Sequence, residues 1–135
     1  MTMKINMEIN DFRINHSRII EQYQLIEWHL EGIFGLLEQG DFEELTHRVE
    51  NDTMGELIRK VRFLIKENKL DLINKQDFSI LDDIRDNRNF WCHSCFLDVN
   101  DNPDKYEEIG NRLISNLDKV IQMNDKLEEV FKELM

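Results

Sequence analysis

The sequence has little of what interrupts or replaces helices. Its 135 residues include one proline and five glycines, and no run of apolar residues approaches the length that crosses a membrane. Leucine, isoleucine, glutamate, lysine, aspartate and asparagine are abundant instead, which is typical of helices with short connections. A chain of this length has room for one hydrophobic core, so we expect a single helical domain over residues 1–135.

Cysteine is equally scarce. Cys92 and Cys95 are too few and too close together to hold the fold through disulfides. They form a C-x-x-C spacing, but late in a predicted helix and with the other histidines scattered, so we expect two buried cysteines, no metal site and no cofactor. The amino end lacks the basic, apolar and small segments of a secretory signal, which predicts a cytoplasmic protein without a membrane partner.

Positive charge is in short supply, with 17 Lys and Arg against 28 Asp and Glu and a net charge of −11. This balance argues against a protein that coats nucleic acid non-specifically, but it leaves room for a local basic groove. A basic stripe on one predicted helix face is the only candidate, and it is either an ordinary solvated face or a track for an RNA backbone. Its members are Arg59, Arg62, Lys66 and Lys69.

Apolar residues recur at three- and four-residue steps, and no alternating strand pattern competes with them. They predict main helices over 12–38, from a capping box at Thr53 and Glu56, from about Asp77 to residue 96 or 97, and after Pro103. Trp28 lies at core spacing in the first helix. Residues 98–102 are expected to form a polar loop, with Asn102 capping the last helix.

These elements predict an all-α fold. The expected architecture is an antiparallel bundle of four main helices, with a short extra helix possible at 42–49.

The strongest chemical signal is the segment from Arg88 to His93, near the end of the third helix. Arginine binds phosphate through two hydrogen bonds, and histidine transfers protons near neutral pH. On an α-helix Asn89 shares a face with His93, whereas Arg88 lies about 140° away from it. A joint site therefore needs Arg88 to curl around the helix, to act from a frayed end, or to meet His93 of a second copy across a two-fold axis.

Three further residues are placed to support this segment. Arg85 shares the face of Asn89 and His93, and Asp82 and Asp86 are close enough to orient the arginines. The alternative interpretation is purely structural. In it, Arg88 forms an ion pair with an aspartate of its own helix, Asp83 or Asp86, and His93 caps the helix end.

Residues 53–58, residues 81–89 and His93 together resemble the HEPN domain (higher eukaryotes and prokaryotes nucleotide-binding). That family is helical, usually dimeric, and marked by an arginine, a polar residue and then a histidine. The resemblance implies a metal-independent endoribonuclease in which His93 is the base, Arg88 stabilises charge on the phosphate and Asn89 holds the phosphate or the imidazole.

The implied products are a 2′,3′-cyclic phosphate and a 5′-hydroxyl. The resemblance further implies a homodimer that acts on RNA as a toxin or phage-defence effector, with an antitoxin or regulatory protein as partner. Cys95 stands where one toxin branch of the family carries a tyrosine that a partner nucleotidyltransferase modifies. The alternative from another functional class is a catalytically inactive, HEPN-like helical interaction module.

Overall fold

The structure is a computed structural model that describes residues 2–101 and 103–135. Within these residues all regular structure is helical, which confirms the all-α prediction, and none of the helices is both long enough and apolar enough to span a bilayer. The elements in chain order are α1 (Thr2–Leu37), α2 (Phe42–Arg48), α3 (Met54–Glu67), α4 (Lys75–Asn89), a π-helical turn (Phe90–Ser94), α5 (Cys95–Asp101), a 3-10 turn (Pro103–Lys105) and α6 (Tyr106–Leu134).

Side-chain caps fix where α3 and α4 begin. The hydroxyl of Thr53 accepts a hydrogen bond from the backbone N–H of Glu56 at 3.2 Å, as predicted, and donates to the Glu56 carboxylate at 3.1 Å. Asn74 and Asp77 form a full capping box, with bonds of 2.8 and 3.0 Å between each side chain and the other residue's N–H. This box explains why α4 begins at Lys75, slightly before the expected position.

Three sequence-based expectations differ from the structure. α1 begins at Thr2 rather than at residue 12. The loop predicted at 98–102 is wrong for 98–101, where α5 continues because Val99 is fully buried and ties this segment to the core. The predicted cap Asn102 lies outside the described residues. Trp28 is 63% exposed and is not a core residue, because its position on α1 faces a groove and not another helix.

The helices do not simply alternate in direction. Asn124 of α6 donates to the carbonyl of Gln22 at 2.9 Å, and further along both helices Gly32 lies against the ring of Phe131, so α1 and α6 run the same way. α4 runs opposite to α3. The predicted antiparallel four-helix bundle is therefore not confirmed, although long helices do pack around one core.

The core is built mainly from the apolar stripe of α1 and the facing residues of α3, α4 and α6. Each fully buried valine, leucine or isoleucine side chain contributes about 1.5–3 kcal/mol to stability through its removal from water. Trp91 is the largest of the fully buried side chains and projects into this core from the π-helical turn. The core residues with no exposed surface are Ile19, Ile26, Leu30, Ile33, Val49, Leu57, Val61, Leu81, Trp91, Val99, Leu113 and Leu127.

Candidate functional site

The segment from Arg88 to His93 is not a regular α-helix. The backbone N–H of Cys95 donates to the carbonyl of Phe90, an i→i+5 bond within the π-helical turn Phe90–Ser94. Such turns occur mostly as single bulges in α-helices, and frequently at functional sites. Because a wider turn brings residues five apart closer to one full revolution, the angle between Arg88 and His93 is smaller than the α-helical value of about 140°.

A histidine of α1 holds this turn in place. His16 Nε2 lies 2.6 Å from the carbonyl oxygen of Trp91, which also accepts the Cys95 thiol at 3.3 Å. A carbonyl can only accept, so Nε2 of His16 carries a proton. The His16 ring packs edge-on against Phe96, with centroids 4.7 Å apart. The turn is thus fixed by α1 from one side and by the buried Trp91 ring from the other.

Arg88 is directed toward α1, away from the aspartates of its own helix. Its Nη2 lies 2.8 Å from Oε1 of Glu27, whereas the structural interpretation expected a partner in Asp83 or Asp86. Burial raises the pKa of Glu27, and the Arg88 guanidinium acts in the opposite direction. The ion pair is only partly accessible, with the Arg88 side chain 34% and the Glu27 side chain 22% exposed.

Buried polar atoms without a hydrogen bond are concentrated around this pair. In the part of the chain that the structure describes, they are the Tyr23 hydroxyl, Arg88 Nε and Trp91 Nε1, whereas Glu27 Oε1, which also lacks a hydrogen bond of good geometry, has Arg88 Nη2 as its charged partner at 2.8 Å. Burial raises the pKa of Tyr23, with a smaller contribution from Cys92 in the same direction. Since most buried polar groups in proteins are paired, such a concentration is unusual and points to this part of the molecule as a site.

His93 and Asn89 are both exposed. Neither side chain has a hydrogen bond or ion pair with any residue that the structure describes. The interpretation of His93 as a buried helix cap is therefore wrong. Within one copy of the chain the His93 imidazole has no partner among the described residues. His93 and Arg88 do not form a joint site there, because Arg88 pairs with Glu27.

The supporting residues form an ion-pair network one to two turns earlier on α4. Arg85 Nη2 lies 3.0 Å from Asp86 Oδ1, and Arg85 Nη1 lies 4.0 Å from Asp82 Oδ1. Asp82 also binds Arg62 of α3 at 2.7 Å. Both aspartates thus orient Arg85, while neither contacts Arg88.

The basic stripe of α3 reaches this network. Arg59, Arg62 and Lys66 lie on α3 and are exposed, whereas the exposed Lys69 lies beyond the end of α3 at Glu67 with a φ of 53°, so the predicted stripe is wrong for Lys69. Arg59 and Arg62 line a groove of about 370 Å³ between α3 and α4 together with Arg85, so part of the stripe borders the helix that carries His93. Arg62 is partly neutralised by Asp82 and stacks over Phe78 at 5.0 Å.

The two cysteines differ from each other. Cys95 is buried, and burial raises the pKa of its thiol to about 11. Cys92 is exposed, so the expectation of two buried cysteines is wrong for it, because the turn points these neighbouring positions to different sides. Among the described residues no cluster of three His, Cys, Asp or Glu side chains could hold a metal ion.

Sequence reasoning missed the contribution of α1. His16, Tyr23 and Glu27 are seven and four residues apart and therefore share one helix face, where polar groups interrupt an apolar stripe. That interruption was the available signal. Arg112 of α6 was also missed; its Cζ lies 4.9 Å from the Phe90 ring centroid and 5.7 Å from that of Trp91.

Comparison with known proteins adds no relative to this picture. No protein-family model matches the chain, and neither curated proteins nor solved structures give a match. Any functional interpretation therefore rests on the residues of the chain and on their geometry.

Proposed function

We propose that the protein is a HEPN-like, metal-independent endoribonuclease that works as a homodimer. The observation that supports this most is the π-helical turn, which leaves the imidazole of His93 exposed and without a hydrogen-bond partner beside Asn89 and close in sequence to Arg88. A free imidazole and a guanidinium are sufficient groups for RNA cleavage without a metal, since RNA supplies its own nucleophile.

In the proposed reaction His93 removes the proton from a ribose 2′-hydroxyl, and this oxygen attacks the adjacent phosphorus. The bond from phosphorus to the 5′-oxygen breaks, and the leaving oxygen takes up a proton. The products are a 2′,3′-cyclic phosphate and a 5′-hydroxyl. Arg88 stabilises the negative charge that develops on the phosphate oxygens, and Asn89 holds the phosphate or the imidazole.

A phosphate must compete with Glu27 for Arg88 in this mechanism. The competition is feasible because the Arg88 side chain is 34% exposed and an arginine has five N–H donors, of which the contact with Glu27 engages Nη2. In a two-fold dimer with the π-helical turn near the axis, the His93 of one copy faces the Arg88 of the other. The groove of Arg59, Arg62 and Arg85 then continues the path of the RNA backbone.

The biological role that fits is that of a cytoplasmic toxin or phage-defence effector restrained by an antitoxin or regulatory protein. This role follows from the HEPN resemblance of Arg88, Asn89 and His93.

One observation favours a second candidate, a catalytically inactive interaction module. The contact between Arg88 and Glu27 gives the arginine a structural partner inside its own chain. If that ion pair persists in the presence of RNA, the guanidinium cannot reach a phosphate. The net charge of −11 favours the same candidate.

An assay of fluorescent RNA cleavage by the purified protein distinguishes the ribonuclease from the interaction module. We expect cleavage by the wild type, a loss of about 10²–10⁴-fold in His93→Ala, and no effect of a chelator. His47→Ala is the matched control, since His47 is another exposed histidine and lies on α2. Light scattering on the same samples should show a dimer. Intact RNA with wild type and with His93→Ala alike would favour the interaction module.

A further inference from the structure

A groove of about 540 Å³ lies between α1, α2 and α6, away from the π-helical turn. Its lining combines aromatic rings with acidic side chains. The residues that matter are Trp28, His29, Glu31, Phe42, Glu50 and Phe131.

Two glycines of α1 shape this groove. A Cβ on Gly32 would lie 2.8 Å from the Phe131 ring, and a Cβ on Gly35 would lie 2.7 Å from Thr46 and 2.8 Å from Phe42. Because neither glycine carries a side chain, α6 and α2 can approach α1 closely. The aromatic rings of Phe42 and Phe131 are thereby brought to a centroid distance of 6.5 Å across the groove.

The aromatic surface is largely uncovered. Trp28 is 63% exposed and Phe42 is 39% exposed. Large exposed aromatic side chains that share one concave surface are typical of binding sites, because covering them removes apolar area from water.

A hydrogen bond to α6 holds His29 in place at the groove. The Asn124 amide nitrogen donates to the backbone carbonyl of Gln22 at 2.9 Å and to its side-chain oxygen at 2.7 Å, which fixes the orientation of the amide. The Asn124 oxygen then faces His29 Nδ1 at 3.0 Å, so Nδ1 donates this hydrogen bond. His29 is only 8% exposed, and it lines the groove.

The charge of the groove is negative. Glu31, Glu43 and Glu50 line it, and none of the lysines and arginines that the structure describes does. The other ionisable side chains of the lining are His29 and His47, the latter 3.1 Å from Glu50. Burial is the main cause that raises the pKa of Glu31, and the negative charges of Glu27, Glu50 and Asp52 raise it further. A cation that enters the groove relieves this repulsion.

We propose that this groove binds a basic segment of a partner polypeptide, with an arginine or lysine side chain inserted between Trp28 and Phe42. The cation stacks on the aromatic faces and pairs with Glu31 and Glu50. Charge complementarity supports the choice of partner, since the chain carries a net charge of −11.

A polypeptide fits the groove better than a free small cation does. A small ion would neutralise the carboxylates but leave most of the Trp28 and Phe42 rings in water. The apolar residues that flank a basic side chain in a peptide cover these rings at the same time. The free cation is therefore an outcome that the test must separate.

The two tryptophans supply an internal control for that test. Trp28 lines the groove, whereas Trp91 is fully buried in the core. Their indole N–H signals in a ¹⁵N-labelled sample can be assigned with Trp28→Phe. We expect the peptide acetyl-Leu-Arg-Leu-amide to shift the Trp28 signal saturably at millimolar concentration and to leave the Trp91 signal in place.

Charge dependence is measured with matched partners. The same peptide with citrulline in place of arginine should bind at least about fivefold more weakly, and Glu31→Gln should weaken the arginine peptide by a similar factor. Glu67→Gln removes the same charge from an exposed position on α3 and should have no effect. No Trp28 shift, equal binding of the citrulline peptide, or tighter binding of free spermidine than of the peptide would overturn the proposal. None of these readouts involves RNA, so they stand apart from the ribonuclease test.

Discussion

Two regions of the molecule, each marked by one tryptophan, have opposite deficiencies. Around Trp91 the structure buries polar atoms that have no hydrogen-bond partner. Around Trp28 it exposes aromatic surface that has no cover. The first deficiency is typical of a site prepared for chemistry on a polar group, and the second of a surface prepared for a partner. The segment from Arg88 to His93 and the aromatic groove therefore have the features of two different kinds of site.

The largest difference should appear when each tryptophan is truncated. Trp91→Ala should lower the free energy of unfolding by about 3–5 kcal/mol, because it leaves a cavity in the core. Trp28→Ala removes a ring that is 63% exposed and should change that free energy by no more than about 0.5 kcal/mol. Denaturant titrations of both variants measure the difference. Equal losses would mean that Trp28 is covered in solution and that the comparison fails.

Glu27 and Glu31 lie one turn apart on one face of α1, and of the two only Glu27 forms an ion pair with a described residue. Glu27 pairs with Arg88, but burial raises its pKa in spite of that cation. Glu27→Gln removes the charged partner of the guanidinium and also a buried negative charge, so we expect a net cost of no more than about 1 kcal/mol of unfolding free energy. Glu128→Gln is the control, since the Glu128–Lys132 pair is exposed and should contribute less than about 0.5 kcal/mol.

The same Glu27→Gln variant also tests the competition for Arg88. If a phosphate must displace Glu27, the variant should cleave RNA faster than the wild type. A variant that is destabilised but no faster would show that the ion pair serves the fold and not the reaction.

The smallest expected effect is a gain in the free energy of unfolding, and it concerns Glu31. Glu31 has no cationic partner among the described residues, and its pKa is raised by burial and then by neighbouring carboxylates. The folded state therefore holds the Glu31 proton to higher pH than the unfolded state does, so stability from this group is present in acid and is lost as pH rises through the raised pKa.

Glu31→Gln should accordingly increase stability at neutral pH by less than about 1 kcal/mol, with little change well below pH 4.5. Unfolding titrations of wild type and variant across this range measure the difference. A gain that is the same at every pH would assign the effect to packing instead of charge.

Much of the fold could be predicted because its signals are local. The apolar stripe of α1 and the Thr53 cap depend on residues within one or two turns of each other. The helix over 98–101 could not be predicted from the sequence. Its one buried residue, Val99, has polar neighbours on both sides, and its contacts come from distant parts of the chain. Trp28 shows the reverse error, since core spacing cannot reveal that a helix faces a groove.

The candidate site was predictable in its residues but not in its contacts. Arg88, Asn89 and His93 stand together in the sequence, whereas the partner of Arg88 is Glu27, which is far away along the chain. The π-helical turn also depends on a distant residue, His16, which binds the Trp91 carbonyl. Neither contact leaves a periodic pattern that a single sequence could show.

The π-helical turn also divides one helical rod into two registers. An α-helix that continued from α4 through residue 101 would keep a single apolar stripe, but the extra residue in the turn rotates everything that follows. Cys95 and Val99 therefore reach the core from a different azimuth than Leu81 and Ile84 do, and all four are buried. Forcing the same residues into a regular α-helix would bring α5 out of step with the core that it now fills. Deleting one residue of the turn would not, because a π-helical turn fits one more residue into a revolution than an α-helical turn does. The segment that carries His93 thus holds one residue more than a regular helix would, without loss of packing on either side of it.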